Sequence, residues 1–133
     1  MPGPAPRQRL LLLEDDPGFQ EISMAFLEKN SFEVVPVVSG VEGVHQVLAG
    51  DFAVILCDMM MPRVPGDTFY RAVERMRPHL CNRFIFMTGY SDNLRINSFF
   101  DSVKGIVLHK PFPMEELLEL TAFVQIRSML EAA

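Results

Sequence analysis

Four stretches of this chain gather residue types suited to holding a phosphoryl group. Glu14 and Asp15 stand together in LLLLEDD, Asp58 ends the apolar run ILCD, Thr88 follows FIFM, and Lys110 follows VLH. A carboxylate can attack phosphorus as a nucleophile, a hydroxyl can donate to one phosphoryl oxygen, and an ammonium can neutralise another. Asp58, Thr88 and Lys110 would supply those roles, and chemistry of that kind works by positioning. Three carboxylates beside one lysine leave about two negative charges uncompensated, a repulsion that a hard divalent cation relieves. Magnesium takes oxygen ligands and keeps several waters, so these carboxylates plus a backbone carbonyl form a suitable half-shell. Taken singly, each residue is a helix cap or a solvated turn; the inference rests on their convergence.

Convergence requires elements that bring the four stretches to one edge. Leu10–Leu13 is a short continuous apolar run, as in a strand buried on both faces. Asp16 can cap the following helix with Pro17 at its first position, and Phe19, Ile22 and Phe26 recur at helical spacing down to Asn30. Phe32–Val38 reads as a second strand, and Ser39 with Glu42 forms a capping box before Val41, Val44 and Leu48, closed by Gly50. Phe52–Cys57 is a third strand ending at Asp58, followed by a helix with the stripe Phe69, Ala72, Val73 and Met76 that stops before Pro78. Phe84–Met87 is a fourth strand, and Ser91 can cap a helix carrying Ile96, Phe99, Phe100 and Val103. Gly105 precedes a last strand, Ile106–Leu108, and Pro113 opens a fifth helix whose stripe of Leu117, Leu120, Thr121 and Val124 continues to about Met129.

Five buried strands alternating with five helices predict a doubly wound α/β fold with a parallel sheet in the flavodoxin-like order 2-1-3-4-5. In such sheets the site lies beyond the carboxyl ends of the strands, where the order reverses. Strands one and three should be neighbours there, which would bring Glu14 and Asp15 beside Asp58.

Length and composition agree with one folded domain. The chain has 133 residues, 49% apolar and 22% charged, with 12 basic against 17 acidic residues and a net charge of -5. No basic excess offers itself to nucleic acid. The longest aliphatic run, Leu10–Leu13, is too short to span or insert into a membrane. Cys57 and Cys81 show neither CxxC spacing nor disulfide-scaffold density, so both are expected to be reduced and the chain cytoplasmic. Cys57, inside a buried strand, should be inert. His45, His79 and His109 are scattered, and the nine methionines, Met59–Met61 included, suit core filling and loop anchoring. No role is assigned to them. The proline-bearing residues 1–9 read as a flexible lead-in, 10–130 as the folded domain and 131–133 as a tail.

Four motifs in this order, each at a strand end, resemble the response-regulator receiver domain of two-component phosphorelay signalling. They are Glu14-Asp15, the block ILCDMMMPRVPG with Asp58, Met61, Pro62 and Gly66, the pair Thr88-Gly89, and Lys110-Pro111-Phe112. The resemblance runs from Leu10 to Met129. It implies that Asp58 accepts a phosphoryl group from the phosphohistidine of a sensor histidine kinase or histidine phosphotransfer domain. It also implies that Glu14, Asp15, Asp58 and the Met60 carbonyl hold Mg2+. Such a protein catalyses only its own phosphorylation and dephosphorylation, and is otherwise no enzyme.

Two departures bear on mechanism. Receivers usually carry Tyr or Phe three places before the lysine, where this chain has Val107, so the aromatic rotamer switch cannot operate in its usual form. With no output domain expected after the fifth helix, output is expected through binding, either as a stand-alone regulator or as a receiver excised from a hybrid sensor kinase. Phe99, Phe100 and the second stripe of the fifth helix, Phe123, Ile126 and Leu130, are candidates for that surface, with a homodimer through helices four and five as one outcome. In receivers the side chains two places after the acceptor and two after the threonine border the approach of water. Here they are Met60 and Tyr90, both bulky, which predicts slow loss of phosphate.

A small magnesium-dependent aspartyl-phosphate phosphatase also uses a strand-end Asp, Lys and Thr. Its general-acid carboxylate would stand two residues after the nucleophile, where this chain has Met60. A receiver-like scaffold indifferent to phosphorylation is opposed by the intact acidic pair, Asp58, Thr88 and Lys110.

Overall fold

The computed structural model describes residues 7–89, 94–103 and 105–132. The chain alternates β1 (Gln8–Leu13), α1 (Pro17–Lys29), β2 (Phe32–Val37), α2 (Gly40–Ala49), β3 (Val54–Asp58), α3 (Gly66–Met76), β4 (Phe84–Thr88), α4 (Leu94–Ser102), β5 (Ile106–His109) and α5 (Met114–Ala132). All pairings are parallel, and the sheet order is β2-β1-β3-β4-β5. The doubly wound architecture read from the alternation is therefore the one observed. The apolar runs locate the strands to within about two residues, and β1 begins at Gln8, ahead of its run.

Side chains alternate across the sheet, so each strand feeds two cores. Leu11, Leu13, Ile55, Cys57, Phe84 and Phe86 face α2, α3 and α4, meeting Val47, Phe69, Val73 and Phe99. Leu10, Leu12, Val54, Leu56, Ile85, Met87 and Leu108 face α1 and α5, meeting Leu27, Leu117 and Val124. Two full cores explain why the strands are apolar without interruption, and why the ends of β1, β3, β4 and β5 are left to carry the polar groups.

The helix starts follow their capping chemistry. Asp16 accepts from the N–H groups of Gly18 and Phe19, with Pro17 in the first turn of α1. Ser39 accepts from the Glu42 N–H, while the Glu42 carboxylate reaches back one residue further than a simple capping box, to the Val38 N–H at 3.0 Å. Gly50 caps the end of α2. The Ser91 cap expected for α4 lies outside the described residues.

Three expectations are corrected. A sixth helical element, a 3-10 helix at Pro78–Arg83, follows α3 directly. The five-helix count missed it because a short turn carries no 3.6-residue periodicity. The inward face of α1 is formed by Ser23 and Leu27, while Ile22 and Phe26 are 53% and 39% exposed. On α2 the buried residues are Gly40, Gly43 and Val47, and Val41 and Leu48 face outward. Both helices turn a small residue inward, Ser23 on α1 and Gly43 on α2, and on α2 the approach is close. A Cβ at Gly43 would lie 2.9 Å from Leu13 Cδ2 and from Phe69 Cε1.

Candidate functional site

The central crossover of the sheet creates the site. β1 and β3 are hydrogen-bonded neighbours with Leu13 opposite Cys57, so Glu14 and Asp58, each one residue further on, emerge side by side. β4 lies on the other flank of β3, and β5 follows, delivering Thr88 and then Lys110 to the same edge. The Lys110 N–H donates to the Thr88 carbonyl at 2.8 Å, tying the last strand end to its neighbour. The Lys110–Pro111 peptide is cis.

Lys110 Nζ donates to Asp58 Oδ2 at 2.8 Å and to Glu14 Oε1 at 3.1 Å. Its ammonium also lies 4.7 Å from the centre of the Phe19 ring, which packs edge-on against Phe112. Phe19 was read only as part of a helical core stripe; its place under the lysine is a contact between distant segments that spacing along one helix does not encode. The other oxygen of Asp58, Oδ1, accepts the Met60 N–H at 2.8 Å, which fixes the rotamer of the carboxylate. Glu14 Oε2 accepts the Asp16 N–H at 3.2 Å, and the Glu14 carbonyl accepts from Gln20.

Glu14, Asp58 and Thr88 are 1%, 5% and 3% exposed, whereas Asp15 is exposed. Burial pushes the Glu14 carboxyl up to about 7, helped by the charge of Asp58, despite the Asp16 N–H and Lys110 acting in the other direction. Burial by itself would lower Lys110, but hydrogen bonding and charge from Asp58, and then from Glu14, outweigh it and raise it. For Cys57 burial dominates, with the charges of Asp58, Asp67 and Glu14 adding to it, and the thiol is driven far up, as its position in a buried strand predicts.

Glu14, Asp15 and Asp58 each present an oxygen within 4.8 Å of the others. Every donor is a hard oxygen, and Glu14, raised first by burial, is raised further by the neighbouring Asp58 charge. The residues present therefore fit a hard divalent ion. Gly66 permits the close approach of α3 to this loop. Its N–H donates to the Met59 carbonyl at 3.2 Å, and a Cβ there would lie 2.9 Å from the Asp58 carbonyl oxygen and the Met59 Cα.

Met60 is 71% exposed, beside the Asp58 carboxylate, and Tyr90 lies outside the described residues. Val107 is half-buried on β5, opposite Phe86 of β4. Phe86 packs against Tyr70, Phe99 and Phe100, so the aromatic groups of this region gather between β4, α3 and α4 rather than on β5.

The family model for the response regulator receiver domain matches residues 10–122. The chain belongs to that family. As a receiver domain it acts in two-component phosphorelay signalling. The receiver is 28% identical over 127 residues to the response regulator receiver protein CpdR of Brucella abortus, covering 95% of this chain and 99% of CpdR. It is 27% identical over 124 residues to the sensor kinase CckA of the same organism, covering 92% of this chain but only 12% of CckA. Among solved structures, the receiver domain of the sensor histidine kinase PA1611 from Pseudomonas aeruginosa superposes with a TM-score of 0.77 at 23% identity. That match covers 86% of this chain and 94% of PA1611's receiver, in which a magnesium ion is coordinated in the active-site cleft. Among the described residues of the present receiver, no helix is long and apolar enough to cross a membrane.

Proposed function

We propose that Asp58 is the phosphoacceptor, taking a phosphoryl group from the phosphohistidine of a sensor histidine kinase or histidine phosphotransfer domain. The observation that carries this reading is the pair of bonds from one ammonium, Lys110, to Asp58 and Glu14 at the edge where Asp15 also stands. An Asp58 oxygen forms the new bond to phosphorus as the bond to the histidine nitrogen breaks, leaving the imidazole neutral or protonated by solvent. Lys110, already bonded to Asp58, is positioned to follow a phosphoryl oxygen after transfer, and the Thr88 hydroxyl to donate to another.

Glu14, Asp15, Asp58 and the Met60 carbonyl would hold magnesium, which supplies positive charge for the phosphoryl oxygens. PA1611's receiver, with its bound magnesium, supports the same choice of ion. Met60 and Tyr90 would flank the approach of water and lengthen the life of the phosphorylated state. The output surface we assign to α5, whose Phe123, Ile126 and Leu130 are 55%, 58% and 72% exposed. Phe99 is buried and Phe100 half-buried against the core, so α4 contributes less to it than the apolar pattern suggests. That surface would serve a partner protein or a second copy of the chain.

The test is a titration with magnesium and beryllofluoride, a phosphoryl analogue, read by NMR shifts around Asp58 and along α5. Saturable, magnesium-dependent changes lost in Asp58→Ala are the expected result. Equal responses from parent and variant would remove Asp58 from the role.

A further inference from the structure

We infer that the cleft at the opposite end of the sheet, where β1 and β3 begin, is a second ligand site for a phosphate-bearing small molecule up to the size of a mononucleotide. The cleft has a volume of about 450 Å³ and is walled by Arg7, Arg9, Asp51, Phe52, Arg83 and Ser128. That volume falls within the range of small-molecule sites, roughly 300 to 1,000 Å³. Three guanidinium groups thus face a single carboxylate, on a chain whose overall charge is -5.

The one carboxylate is already shared. Asp51 lies 3.4 Å from Arg83 and 3.2 Å from His79, with Arg77 at 3.6 Å. Burial raises its carboxyl, yet the His79 hydrogen bond and the Arg83 charge outweigh that and hold it below its ordinary value, as net-positive surroundings require. Arg7 and Arg9 pair with no carboxylate among the described residues. Each makes one long bond to a carbonyl, Arg7 to Phe32 and Arg9 to Asp51, both at 3.3 Å. Arg9 is nevertheless held in place: its guanidinium lies 4.5 Å from the Phe52 ring centre, and a Cβ at Gly50 would come within 2.5 Å of its Nη1.

Arg83 anchors the wall of the cleft. It is 8% exposed, and while its Nη1 donates to the Phe52 carbonyl at 2.8 Å, its buried Nε has no hydrogen-bond partner. A buried guanidinium donor without an acceptor is costly. Closing the end of α2 accounts for Arg77, which donates to the Val47 and Gly50 carbonyls, but not for Arg7 or Arg9. Forked guanidinium groups bind phosphate oxygens bidentately, and three of them against one carboxylate leave an excess of positive charge that suits a multiply charged phosphate.

The experiment is an NMR titration of the full chain with inorganic pyrophosphate and with adenosine monophosphate, at constant ionic strength and without magnesium. Saturable shifts centred on Gln8, Asp51 and Ser128 are expected for at least one probe. Arg7→Gln with Arg9→Gln should weaken binding at least about tenfold, the corresponding Lys pair should retain part of it, and Asp58→Ala should bind as the parent does. If the Gln pair does not fold, Arg7→Gln alone, at an exposed side chain, serves in its place. The assignment is overturned if neither probe saturates, if the shifts scatter over the surface, or if the Gln variant binds like the parent.

Discussion

Lys110 Nζ lies 2.8 Å from Asp58 Oδ2, two residues brought together across 52 positions of sequence by the order of the strands. The ammonium is therefore already bonded to the carboxylate that is proposed to accept the phosphoryl group. A small phosphodonor with magnesium should add one phosphoryl group to the parent by intact-mass measurement and none to Asp58→Ala. Lys110→Ala should still bind magnesium, but phosphorylation should no longer shift resonances on α5, because the cation that follows the phosphoryl oxygen is missing. Labelled Asp58→Ala protein would contradict the assignment.

Glu14 makes stability depend on pH in the metal-free state. Its carboxyl is raised from 4.5 to about 7, so between those values the folded chain binds a proton that the unfolded chain does not. The stabilisation is complete below about pH 4.5 and is lost as pH rises through 7, at most about 3 kcal/mol. In chelator, the urea midpoint should therefore fall between pH 5 and 8 through this group, and Glu14→Gln should remove that component. Magnesium should restore stability at pH 8, and Asp15→Asn should weaken that restoration by removing one charged oxygen ligand.

Met60 is 71% exposed beside Asp58, where it is proposed to obstruct water and prolong phosphorylation. Under saturating magnesium, Met60→Asn and Tyr90→Glu should each lose phosphate faster than the parent, since a polar group there can orient the water that an apolar side chain obstructs. Decay at the parental rate in both would mean that these side chains do not gate water.

On α5, Phe123, Ile126 and Leu130 form an exposed apolar face. Sedimentation should show self-association that increases with beryllofluoride and is reduced in Phe123→Ser with Ile126→Ser. A monomer under both conditions would reserve the face for a different protein.

Gly66 tests the coupling between the loop after Asp58 and α3. A Cβ there meets backbone at 2.9 Å, atoms that cannot rotate away, so Gly66→Ala should destabilise the domain by about 1–3 kcal/mol in denaturant melts. It should also slow phosphorylation, because the clash displaces the Asp58 carbonyl.

Much of this was legible from the sequence alone. The uninterrupted apolar runs of β1, β3 and β4 mark strands covered on both faces, and the polar residues that end them, Glu14, Asp58 and Thr88, are the site candidates. Such signals are local: run length, capping residues and position at a strand end do not depend on what lies opposite. The buried face was legible on α3, α4 and α5, where Phe69 and Val73, Ile96 and Phe99, and Leu117, Thr121 and Val124 face inward as their spacing predicts, but not on α1 and α2. α1 and α2 both carry apolar residues on more than one side, and periodicity reports a stripe without saying which stripe meets the sheet. On α2 close approach decided it, so Gly43 went inside while Leu48 stayed out, and on α1 Ser23 is buried while Ile22 is exposed. Only the tertiary structure could place the Phe19 ring against Lys110, or collect Arg7, Arg9 and Arg83 around one cleft. Those contacts join segments separated by most of the chain, and no spacing along a single element records them.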